Sequence, residues 1–89
     1  MQGRIPFGSL VEQGLVSPGT RLFDRQRRVS DVVGSDGTIV AGEVRGSIHK
    51  VGAAVQNAPA CNGWTFWHME RDGVLVPIDT LRAGALAGA

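Results

Sequence analysis

Little in this chain of 89 residues can be cross-linked or placed in a membrane. Its one cysteine, Cys61, excludes an internal disulfide and any multi-cysteine zinc site. No stretch is long and apolar enough to span a bilayer, and no basic-then-apolar signal opens the chain. The expected location is therefore the cytoplasm, with no membrane partner. A P-loop and a dinucleotide fingerprint are both missing, so the thirteen glycines read as turn positions and not as a phosphate cradle. Lysine is scarce too: Lys50 stands alone among nine cationic side chains, and the others are arginine. Arginine's planar fork suits bidentate pairing with phosphate or guanine. A GC-rich coding sequence yields the same excess.

What remains fits one small domain, which at this size buries about 60% of the surface its unfolded chain exposes. Residues 1–8 read as a flexible lead-in, 9–82 as the domain, and 83–89 as a frayed tail of small residues. Ser9 is placed to cap a short helix, with Glu12 completing a capping box and Gly14 as the left-handed stop. Ser17-Pro18-Gly19 is a turn. Strands are expected from Thr20 to Phe23 and Val29 to Val33, the second returning through Ser35-Asp36-Gly37 into Thr38-Ile39-Val40. After a loop over Gly42 to Gly46, Ser47 caps a helix on which Ile48, Val51, Ala54 and Val55 recur at helical spacing. Trp64 to Met69 alternates as a strand, which puts Trp64 and Trp67 on opposite faces and one of them outside the core. Asp72-Gly73 turns it back into Val74-Leu75-Val76, and Pro77 and Asp79 open a last helix through Arg82. The expected class is α+β, a small antiparallel sheet of about four to five strands with two or three short helices.

Three chemistries compete for the polar residues. Cys61, His49, His68 and Asn62 supply the residue types of a Cys-His-Asn hydrolase, yet no strand-to-helix elbow presents the thiol. The same residues lack the spacing of a zinc motif. Nucleic-acid binding uses more of them at once. Ser47 at a helix N-terminus, with His49 and Lys50 in the first turn, suits an anion such as phosphate; capping alone also explains Ser47. Asn62 can pair with the edge of adenine and Trp64 can stack on an unpaired base, although Asn62-Gly63 also reads as a turn and Trp64 as a core anchor. Arg21 to Arg28 is the steepest local charge, and Arg25, Arg27, Arg28 and the isolated Arg45 are possible phosphate contacts.

Gly46-Ser47-Ile48-His49-Lys50 and Ala60-Cys61-Asn62-Gly63-Trp64-Thr65-Phe66-Trp67, with Gly14-Leu15-Val16-Ser17-Pro18-Gly19-Thr20 and Pro77-Ile78-Asp79, carry a family resemblance. The chain resembles the C-terminal module of cell-cycle-regulated bacterial DNA adenine methyltransferases that modify GANTC sites, a module of the restriction enzyme and adenine methylase associated (RAMA) group. The likeness runs from Arg4 to Arg82. It implies a non-catalytic DNA-binding role beside the bacterial chromosome, with Ser47, His49, Lys50, Asn62, Trp64 and Arg82 as DNA contacts. It also implies an upstream methyltransferase domain, which binds S-adenosylmethionine, and a dimer mate of the full-length enzyme. The family's Phe-x-Gly-x-Gly and Asp-Pro-Pro-Tyr motifs do not occur in this sequence, so no cofactor is expected for this domain and no methyl transfer by it alone. A protein-interaction module that docks on the catalytic domain or dimer mate is the alternative. Apolar Val74-Leu75-Val76 and an exposed Trp67 would suit it.

Overall fold

The computed structural model describes residues 5–88, with side chains described through residue 83. Residues 1–4 of the expected lead-in and residue 89 of the expected tail lie outside the described residues. The chain forms α1 (Phe7–Glu12), β1 (Arg21–Phe23), β2 (Ser30–Val33), β3 (Ile39–Ala41) and β4 (Val44–Gly46), then α2 (Ile48–Gln56), α3 (Gly63–Phe66), β5 (His68–Arg71), β6 (Val74–Pro77) and α4 (Asp79–Gly88). All six strands join one antiparallel sheet in the order β4-β3-β2-β1-β5-β6.

The α+β class and the antiparallel sheet agree with the sequence reading, but the sheet has six strands and there are four helices. Two short elements account for most of the difference. Gly42, at positive φ, turns the chain so that Ala41 pairs with Val44, and the expected loop becomes β4. The Trp64–Met69 alternation conceals a helical turn: the Asn62 side chain accepts from the Trp64 amide at 3.1 Å and starts α3, and β5 begins only at His68. Both tryptophans are therefore buried, Trp64 at 7% exposure and Trp67 at 0%, so neither is displaced to the surface.

At the amino end, the extended backbone of Pro6 leads into α1 and Ser9 lies within the helix, where it does not act as its cap. Phe7, inside the expected lead-in, is a core residue. Gly14 does stop the helix: Leu15 N–H reaches the Leu10 carbonyl and Gly14 N–H the Val11 carbonyl, the Schellman pattern. Ser47 caps α2 through the Lys50 amide at 3.0 Å, as its position predicts.

One sheet face carries the core. Leu22, Val33 and Ile39 pack with Ile48 and Val51 of α2, Trp64 and Trp67 from the α3 segment, and Phe7 and Leu10 of α1. Two hydrogen bonds lock the start of α2 to α3. Trp67 Nε1–H donates to the Ile48 carbonyl at 3.0 Å, and Gly63 N–H donates to His49 Nδ1 at 2.9 Å. The approach is close enough that a Cβ on Gly63 would lie 2.6 Å from the Ile48 carbonyl carbon and oxygen. Gly63→Ala is expected to lower stability by about 1–3 kcal/mol, the usual cost of overpacking, measured as the shift of the urea midpoint.

Asp31, opposite Leu22 on β2, is 2% exposed, and among the described residues neither carboxylate oxygen has a hydrogen-bond partner. Burial pushes its pKa up to about 7, partly offset by the charge of Arg21. In the unfolded chain the same group titrates near 3.8. Between these values the folded state holds a proton that the unfolded state releases, so this group lowers stability as pH rises from about 4 to about 7, with no further effect above. Thermal melts of Asp31→Asn across that range are expected to lose this decline.

Candidate nucleic-acid interface

Three separate segments meet around a groove of about 690 Å³. The chain at Ile5 to Gly8 forms one wall, the β2–β3 turn at Asp36-Gly37-Thr38 another, and the start of α2 the third, with Trp64 and Arg82 completing the lining. Of the six DNA contacts expected from the sequence, Ser47, His49, Trp64 and Arg82 line this groove. The exposed Lys50 and Asn62 do not line it. Nor do Arg25, Arg27, Arg28 and Arg45.

Local bonding limits what each group has left to offer. The Ser47 hydroxyl accepts from the Lys50 amide, so its own proton is what it can still donate. His49 accepts from the Gly63 amide through Nδ1, which fixes the neutral ring with its proton on Nε2. That nitrogen is the ring's remaining donor. Asn62 uses Oδ1 on the Trp64 amide and keeps its NH₂. All three groups are thus set to donate, as an acceptor-rich ligand requires.

Trp64 is not an open stacking platform. The Arg82 guanidinium lies over its ring at 4.7 Å from the centroid, and Phe7 meets it edge-on at 6.1 Å. Arg82 is in turn held by Asp79, with Nη2 to Oδ1 at 2.5 Å. Arg82 is therefore clamped between a ring and a carboxylate, half-buried at the groove wall. Phe7 as a groove residue and Asp79 as the partner of Arg82 escaped the sequence reading. The i, i+3 spacing of Asp79 and Arg82 on one helix was the signal for the pair; for Phe7 it was an aromatic residue within a supposed lead-in.

The other arginines are distributed differently. Arg27 stacks on Phe23 at 5.0 Å and pairs with Glu70 at 3.7 Å, while Arg45 pairs with Asp36 at 3.3 Å. Asp36 is held well ionised, its pKa lowered to about 2 chiefly by the Thr38 hydroxyl and amide. It thus places a negative charge in the lining of the groove that Arg82 also lines. Arg25 and Arg28 are exposed on the β1–β2 hairpin, whose turn is closed by the Asp24 carboxylate accepting from the Arg28 and Val29 amides.

Burial raises the Cys61 thiol above its usual pKa, opposed by a hydrogen bond with Gln56. That is the reverse of the activation a nucleophile needs. Among the described residues, no three His, Cys, Asp or Glu side chains are grouped to hold a metal ion, and no helix is long and apolar enough to cross a membrane. The clamp on Trp64 has a measurable signature. Arg82→Ala is expected to uncover the indole and raise the acrylamide quenching of the tryptophan emission, to which Trp67, 0% exposed, contributes a constant shielded part.

Residues 1–87 match the family described as Restriction Enzyme Adenine Methylase Associated. The type II methyltransferase M.HinfI of Haemophilus influenzae is 30% identical over 79 residues, covering 89% of this chain and 22% of that protein. The chain thus spans about a fifth of the length of the relative it matches. With a match over almost all its residues, this chain belongs to the RAMA family, whose name ties it to restriction enzymes and adenine methylases.

Proposed function

We propose that this chain is a non-catalytic DNA-binding module of a site-specific DNA adenine methyltransferase. It grips DNA around a GANTC site while a separate domain, using S-adenosylmethionine, transfers the methyl group. The observation that carries this reading is the groove itself. It gathers Ser47, His49, Trp64 and Arg82 from distant parts of the chain, with donor groups uncommitted and a guanidinium already oriented.

In this reading the start of α2 receives a phosphate. The dipole of a nine-residue helix and the Ser47 hydroxyl proton favour an anion there, with Lys50 following in the same turn. Arg82, flattened on Trp64, presents its fork to a second phosphate or to the O6/N7 edge of guanine. Trp64 then acts as the support that fixes Arg82, and Asn62 offers its NH₂ from the start of α3. Arg25 and Arg28, exposed on the hairpin, supply further phosphate contacts, while Arg27 and Arg45 must first leave Glu70 and Asp36. A cytoplasmic site of action beside the chromosome, an upstream methyltransferase domain and a dimer mate belong to the same proposal.

Docking on the catalytic domain or dimer mate, without direct DNA contact, is the second reading. Val74 favours it, being 61% exposed at the start of the sheet-edge strand β6. Ionic strength separates the two. A phosphate-gripping module loses affinity linearly with log salt, whereas an apolar interface does not.

Fluorescence anisotropy on labelled duplexes with and without GANTC is the test. Binding by the native domain is expected to fall steeply with salt, and Arg82→Ala to weaken it about tenfold or more, the scale of a charged hydrogen bond at about 1.5–3 kcal/mol. A folded domain that binds neither duplex at low salt would leave the docking reading. Equal affinity for both duplexes would remove GANTC readout from this module.

A further inference from the structure

We propose that a second cavity, built on β5, β6, α3 and the β1–β2 hairpin, binds an unpaired nucleobase carrying an exocyclic amine. Its volume is about 570 Å³, and it shares no lining residue with the groove. That size falls in the range of small-molecule sites, about 300–1,000 Å³.

The cavity's key group is His68. It pairs with Phe23 and Pro77 across the sheet, on the face opposite the core residue Leu22, and only 8% of it is exposed. Its Nδ1 lies 3.0 Å from the Phe66 carbonyl oxygen. A carbonyl can only accept, so Nδ1 carries the proton and Nε2 of the neutral ring is a lone-pair acceptor. Among the described residues Nε2 has no hydrogen-bond partner. That nitrogen is not fully buried, so a donor that enters the cavity can reach it.

Asp24 supplies a second acceptor. Its Oδ1 is engaged by the Arg28 and Val29 amides at 2.5 and 3.0 Å, while Oδ2 takes no hydrogen bond among the described residues. Phe66 and Leu75 add apolar wall, and the exposed Arg25 and Gln26 belong to the lining. The complement is a flat neutral ring with N–H donors on one edge and an anion on its tail. A cationic side chain would meet Arg25; a nucleotide would pair with it.

Adenine, cytosine and guanine each present an amino group to the two acceptors. Thymine offers a single N3–H between two carbonyl oxygens, which face His68 and Asp24 unfavourably. The site therefore discriminates against thymine. Its ligand chemistry is shared by a base unstacked from DNA and by a free mononucleotide. Only the first source rests on the DNA-binding reading.

Heteronuclear NMR of the 89-residue chain, titrated separately with dAMP, dCMP, dGMP, dTMP and inorganic phosphate, tests the proposal. Amine-bearing nucleotides are expected to shift the Gln26, Thr65 and His68 signals, and dTMP to bind about tenfold more weakly, the scale of one hydrogen bond. His68→Phe is expected to abolish the response. Because His68 is buried, Arg25→Ala provides a surface variant, expected to weaken dAMP while leaving deoxyadenosine unchanged. No response to any nucleotide, or an equal response to dTMP or phosphate, would overturn the proposal. A parallel titration with duplex and single-stranded oligonucleotides reads the groove amides of His49 and Lys50. Groove shifts with a silent cavity would sink only the second site. Cavity shifts from mononucleotides with a groove silent to every oligonucleotide would sink only the DNA reading. Single-stranded but not duplex oligonucleotides reaching the cavity would identify an unstacked base as its source.

Discussion

The buried hydrogen bond from Trp67 Nε1 to the Ile48 carbonyl is the constraint on which the rest of this domain depends. A carbonyl in the first turn of a helix is normally committed to the amide four residues on, but its second lone pair can accept again. Here that second bond comes from the largest fully buried side chain in the protein. Alongside it, the Gly63 amide donates to His49. The two bonds fix the first turn of α2 against α3, and so fix Ser47, His49, Asn62 and Trp64 relative to one another. Neighbouring backbone makes this possible only because Gly63 has no side chain where Ile48 approaches. The groove is thus a by-product of core packing, and its polar groups inherit the rigidity of buried ones.

The same economy holds at the groove's other wall. Trp64 contributes a T-shaped contact with Phe7 to the core and its face to Arg82. Asp79 holds the guanidinium from within the same helix. An arginine fixed from two sides loses less side-chain freedom when it meets an anion than one hanging in solvent. Asp36, kept ionised by Thr38, sits on the groove with the opposite sign. Charge of both signs within one groove favours a ligand that presents both acceptors and donors, as base edges do, over a bare anion.

Local signals made the class of fold legible. Gly14, Ser47 and the Asp72-Gly73 turn sit where their conformational preferences require, with Gly14, Asp72 and Gly73 at positive φ. What misled was periodicity over too few residues. Trp64-Thr65-Phe66-Trp67 alternates bulk with polarity like a strand, yet Asn62 offers a cap and Gly63 a start, and four residues suffice for one helical turn. β4 was hidden in a glycine-bounded stretch because three residues carry no usable alternation. Within the site, residue types suggested Ser47, His49 and Trp64, and the family resemblance added Arg82, but no spacing along the chain could show that they meet. Their convergence depends on tertiary contact between α2, α3 and α4, as does the covering of Trp64 by Arg82. The burial of Asp31 was likewise invisible, since a lone acidic residue in a strand gives no sign of which face it occupies.

Gly37 and Gly8 touch so closely that a side-chain carbon on Gly37 would lie 2.5 Å from the Gly8 Cα. This contact pins the chain at Ile5 to Gly8 to the tip of the β2–β3 hairpin, beside the groove that Ile5 itself helps line. The segment that walls one side of the groove is thereby clipped to the hairpin that walls another, so the mouth cannot widen there without both moving together.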